Sequence, residues 1–198
     1  MKTVRIIAWV LVAVALAGLA YLLLQPAPRQ GPGQPEMVQA SFGGPFTLVG
    51  SDGQPFPSSR LAGKPYAIFF GFTHCPDVCP TALARLVKLR RELGQGDDSF
   101  RIVFVSVDPE RDGPEQVGAY EKAFGGPVIA LTGSPEQVAQ VKKQYGIFSQ
   151  KVPDGSGGYT VDHTATVLLF DRNGRFASTI SAEEQDAPAL DKLKQLTS

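Results

Sequence analysis

The hydrophobic pattern along the chain changes character several times, and each change marks an element. Residues 6–24 form an uninterrupted uncharged, mostly apolar run behind Lys2 and Arg5. At about 1.5 Å per residue it is long enough to cross a hydrocarbon core of about 30 Å. The basic residues before it place the N-terminus on the cytoplasmic side and the rest of the chain on the other. The pattern therefore predicts one transmembrane anchor over residues 1–24. A cleaved signal peptide ending at Ala15-Leu16-Ala17 is the alternative, but the apolar run continues past that point through Tyr21-Leu22-Leu23-Leu24. Residues 25–40 carry Pro26, Pro28, Pro32 and Pro35 with Gly31 and Gly33, and read as an extended linker.

From residue 41 to residue 198 the pattern is that of one folded domain. Residues 46–49 and 54–56 flank Gly50-Ser51-Asp52-Gly53 and predict a hairpin. Residues 66–70 (Tyr-Ala-Ile-Phe-Phe) and 101–107 (Arg-Ile-Val-Phe-Val-Ser-Val) are continuous rather than alternating, as in strands covered on both faces. Between them, Leu83, Leu86 and Val87 recur at helical spacing over 81–93, with Pro80 suited to the first helical position. Helices are predicted at 114–124 and 135–145, the second with Ser134 and Gln137 in capping-box positions. A strand at 128–132 separates them. Residues 146–159 read as a long irregular segment, 161–170 as one strong strand, 175–181 as its antiparallel partner, and 187–196 as a closing helix. The repeated β-α units, then a hairpin and a final helix, predict an α/β fold: a thioredoxin-like central mixed sheet flanked by helices, with the N-terminal hairpin as an extension.

Charge adds little, since 19 basic and 19 acidic residues balance and nothing points to nucleic acid. The chemistry lies in Gly71-Phe72-Thr73-His74-Cys75-Pro76-Asp77-Val78-Cys79-Pro80, which holds both cysteines of the chain at a strand-to-helix junction. A structural disulfide is the plain alternative, but it would close a very short loop and restrict the unfolded chain little. Positions i and i+4 share a helix face, so both sulfurs can reach one point. The helix N-terminus is expected to favour the thiolate, most directly at Cys79. Paired thiolates select soft ions, copper(I) among them. His74 and His163 are the only histidines. His74 adjoins Cys75 and reads as a supporting or surface group; His163, at the start of its predicted strand, reads either as a satisfied histidine at a strand end or as a nitrogen ligand. A zinc site would need His74 as a fourth ligand beside Cys75, which is strained. A peroxidase is disfavoured, because no separate resolving cysteine exists.

The stretch 71–80, with Val-Ser-Val-Asp-Pro-Glu-Arg-Asp at 105–112 and Val-Asp-His at 161–163, resembles the Sco/SenC family of membrane-anchored copper proteins. The resemblance covers residues 41–198 and implies a thioredoxin-like domain binding one copper ion, Cu(I) or Cu(II), through Cys75, Cys79 and His163. It also implies cycling of the two cysteines between dithiol and disulfide, and a supporting role for Asp108. The implied partner is subunit II of cytochrome c oxidase, whose dinuclear copper site the family matures as metal donor, as thiol reductant, or as both. Other periplasmic copper carriers or thiol reductants are further implied partners. The implied location is the extracytoplasmic face of a bacterial-type inner membrane. Thr164 stands where many members have serine after the histidine. A thiol-disulfide oxidoreductase acting without copper transfer is the alternative function. A thioredoxin proper carries a proline where this chain has Asp162-His163-Thr164, which favours metal handling.

Overall fold

A computed structural model describes residues 42–198. The predicted anchor and the whole of the linker lie outside these residues; among the described residues no helix is long and apolar enough to cross a membrane. The chain opens with a hairpin of β1 (Thr47–Gly50) and β2 (Pro55–Pro57), turned by Gly53 at φ 72°. Strand β3 (Tyr66–Gly71) is buried along its whole length and leads through the cysteine loop into α1 (Val78–Leu93). Then follow β4 (Arg101–Ser106), α2 (Pro114–Glu121) with a 3-10 turn over Lys122–Phe124, β5 (Ile129–Thr132) and α3 (Pro135–Gln144). The chain ends with β6 (Ser149–Pro153), β7 (Tyr159–His163), β8 (Val167–Phe170), β9 (Phe176–Ile180) and α4 (Asp186–Thr197).

Seven strands form one sheet in the order β2-β1-β5-β4-β3-β8-β9. Strands β3, β4 and β5 are parallel, while β8 and β9 run antiparallel beside β3. This is the thioredoxin-like mixed sheet that the pattern predicts, with the hairpin β1–β2 added at the β5 edge. Continuous apolar strands sit at its centre because helices cover both faces: Ala67, Ile68, Phe69 and Phe70 of β3 and Val103, Phe104 and Val105 of β4 are fully buried. Helix α1 lays Leu83, Leu86, Val87 and Leu89 into this core. It begins at Val78, so Pro80 occupies the third helical position, still in the first turn where a backbone N–H has no helical partner. Helix α3 starts at the expected capping box: Ser134 Oγ accepts from the Gln137 N–H and Gln137 Oε1 accepts from the Ser134 N–H.

Two expectations are corrected at the end of the domain. The segment read as irregular contains β6, which pairs with β7 to make a separate two-stranded sheet. It escapes notice because most of its side chains face solvent and leave no apolar period. The single strand predicted over 161–170 is two strands in two sheets, divided at residues 164–166. The physical cue is the change of pattern: only Val161 of β7 is buried, as in a half-exposed hairpin, whereas all four residues of β8 are buried. His163 therefore ends a hairpin rather than starting a central strand.

Candidate metal centre

The C-terminal end of β3 and the first turn of α1 bring the two cysteines together. Gly71 ends the strand without a side chain, and the space this leaves is used: a Cβ there would lie 2.7 Å from Cys79 Sγ and 3.1 Å from the rings of Phe69 and Phe104. Cys79 is completely buried, Cys75 half-buried, and neither is in a disulfide. The N–H of Cys79, free at the helix start, points at Cys75 Sγ across 3.4 Å. The helix N-terminus thus addresses the sulfur of Cys75. For Cys79 the expected lowering is overturned: burial pushes its thiol far above the ordinary range, outweighing a favourable backbone contact at Phe72.

His163 reaches the pair from the other sheet. Its Nε2 lies 3.3 Å from Cys79 Sγ, and its Nδ1 lies 3.1 Å from the carbonyl oxygen of Thr164. With Nδ1–H donating to that carbonyl, the Nε2 lone pair faces the sulfurs, the arrangement a metal ligand requires. The ring stands edge-on to Phe69 and Phe72, with centroids 5.9 and 5.8 Å away. Burial holds its pKa below the usual imidazole value and keeps it neutral near pH 7. The ligand atoms of Cys75, Cys79 and His163 all lie within 4.8 Å of one another. The Thr164 hydroxyl accepts from the Phe148 N–H at 3.1 Å and the Thr164 N–H donates to the Phe148 carbonyl, closing the base of the hairpin beside the ligand.

His74 stays outside this group. Its side chain is half exposed and its Nδ1 faces the Thr73 hydroxyl at 3.1 Å and Asp112 at 3.5 Å, so the four-ligand zinc arrangement does not form. Asp108 is buried but is also not one of the converging groups; it accepts from Arg111 Nε and from the Tyr159 hydroxyl at 2.9 Å. Sequence reasoning passed over Asp112, at the end of the same loop. Its fully buried carboxylate accepts from the Thr73 N–H at 2.9 Å, the Thr73 hydroxyl at 2.6 Å and the Ser106 hydroxyl at 2.6 Å. The available signal was a second aspartate closing a loop at a strand's C-terminal edge.

A family model described as SCO1/SenC matches residues 34–198. The chain belongs to the SCO1/SenC family. This SCO1/SenC chain is 36% identical over 177 residues to the SCO2-like protein RP587 of Rickettsia prowazekii, a match covering 84% of the chain and 86% of that protein. It is 39% identical over 136 residues to the mitochondrial SCO1 homolog 1 of Arabidopsis thaliana, covering 68% of the chain but only 41% of that longer protein. Among solved structures, the SCO1/SenC fold described above superposes on Bradyrhizobium japonicum ScoI with copper bound at a TM-score of 0.71. That match has 41% identity and covers 78% of this chain and 99% of the other.

Proposed function

We propose that this chain is a membrane-anchored copper-binding assembly factor that carries one copper ion at Cys75, Cys79 and His163 to the dinuclear copper site of cytochrome c oxidase subunit II. The observation that carries the reading is the convergence of two sulfurs and one imidazole nitrogen within 4.8 Å. Two thiolates and a neutral nitrogen suit copper(I), and copper(II) with an added ligand. Family membership and the likeness to a copper-bound ScoI support the same assignment. In the copper-free thiol-disulfide reading His163 would be dispensable or would only tune a thiol, whereas as a ligand its Nε2, 3.3 Å from Cys79 Sγ, has a direct role. Asp108 supports the site without joining it. The anchor at 1–24 and the linker at 25–40 would hold the domain, residues 41–198, near the extracytoplasmic membrane surface. Both cysteines must be reduced to take up metal, so a disulfide between them blocks loading.

The test is a copper(I) titration of the full chain in detergent under reducing conditions, competed against a copper(I) chelator. One tight equivalent is expected; no tight binding overturns the reading. The pH dependence follows from burial. The Cys79 thiol, held protonated by its surroundings, must lose its proton when the metal binds. His163, with a lowered pKa, takes no proton up near neutrality. Apparent affinity should therefore rise with pH, by about tenfold per unit for the Cys79 proton alone. The same competition at about pH 6 and about pH 8 reads this directly, and equal affinities would contradict it.

A further inference from the structure

The ligands belong to two bodies. Cys75 and Cys79 are built on the main sheet and α1, whereas His163 ends a hairpin that pairs with no strand of that sheet. The hairpin strands contribute one buried residue, Val161, so apolar packing alone fixes them weakly. What lies between the bodies is a polar and aromatic clasp. Arg111, in the loop after β4, donates from Nε to Asp108 and from Nη1 to the Tyr159 carbonyl at 2.8 Å. Its guanidinium carbon sits 3.7 Å from the centroid of the Tyr159 ring and 5.8 Å from that of Phe72, whose edge contact supports His163. The Tyr159 hydroxyl returns to Asp108 at 2.9 Å. At the other end of the loop, Asp112 holds Thr73, two residues before Cys75. The loop between β4 and α2 thus grips the cysteine side through Asp112 and the histidine side through Arg111. The exposed pair Lys151–Glu110 at its rim adds little.

We propose that Arg111 and Tyr159 are positioning residues that hold His163 over the cysteine pair. They touch no ligand atom; they set how often the hairpin is docked and so how often the third ligand is in place. The inference rests on the proposed metal site, which its metal-free measurements do not require.

The test compares the native full chain with Arg111→Met, which keeps the stem and loses the guanidinium, and Tyr159→Phe, which keeps the ring and loses the hydroxyl. In metal-free protein, nuclear Overhauser contacts between the His163 ring and the rings of Phe69 and Phe72 report docking. Alkylation of Cys79 by iodoacetamide, in a Cys75→Ser background so that only Cys79 reports, gives the open population. Arg111→Met should weaken the contacts and speed alkylation about tenfold or more, the loss expected for hydrogen bonds of a charged group. Tyr159→Phe should move both the same way by about threefold. With copper(II) bound, the nitrogen superhyperfine coupling should fall in Arg111→Met while the thiolate charge-transfer bands persist, a split that general destabilisation does not produce. Native contacts and native alkylation rates in the variants overturn the proposal. If Arg111→Met does not fold, Tyr159→Phe decides alone by the same criterion. If the native chain takes up no copper, the proposed function fails while the metal-free arms still decide the clasp.

Discussion

Cys79→Ser is expected to lose tight copper(I) binding, falling at least about a hundredfold below the native chain. Structural metal sites with four ligands reach about 10–16 kcal/mol, so one thiolate contributes roughly 3 kcal/mol, or about two decades in affinity. A serine hydroxyl is a hard donor and does not ionise near neutrality, so it offers nothing to a soft ion. The position matters as much as the atom. Cys79 is wholly enclosed by Gly71, the rings around it and His163, so no outside thiol can take its place. Cys75 is partly open, and a thiol in the buffer could partly replace it there. The order of loss in chelator competition should then be Cys79→Ser first, with Cys75→Ser partly rescued by added small thiol. Affinity within about threefold of native for Cys79→Ser would remove that sulfur from the ligand set.

Asp112→Ala should be the most destabilising change near the site, by about 3–5 kcal/mol, or on the order of 10 °C in melting temperature. The carboxylate accepts three hydrogen bonds in a fully buried setting, and deletion leaves the Thr73 N–H and the Ser106 hydroxyl without an acceptor. Asp112→Asn should lose about half as much. Its oxygen can keep the Thr73 N–H and Ser106 hydroxyl, while its amide faces a Thr73 hydroxyl free to turn toward His74 Nδ1, 3.1 Å away. Thermal unfolding of the metal-free chain, read by circular dichroism, ranks the three proteins; an alanine variant melting with the native chain would show the loop to be dispensable.

Much of this architecture is legible in residue pattern. The central strands announce themselves by continuous apolar runs, and α3 by its capping box. The two cysteines stand out by residue type and spacing, whereas His163 is singled out by the family resemblance; the fold brings the three together. What the pattern misses has physical causes. Strand β6 faces solvent and carries no period. The break at 164–166 follows two strands' different surroundings, which one apolar stretch conceals. The thiol of Cys79 was expected to feel chiefly the helix N-terminus, but depth of burial is a tertiary quantity and it dominates. Asp112 looks like any loop acid until the donors of Thr73 and Ser106, remote in sequence or folded back onto it, are seen to share it.

The separation of the ligands along the chain has a mechanical side. His163 lies 84 residues beyond Cys79, so an ion held by both closes a loop spanning half the domain. In the unfolded chain that closure is entropically remote. Copper at this position would act as a removable cross-link, bracing the hairpin against the sheet while present and releasing it when withdrawn. The loaded and emptied proteins would then differ in stiffness as well as in cargo, and resistance to unfolding becomes a gauge of occupancy.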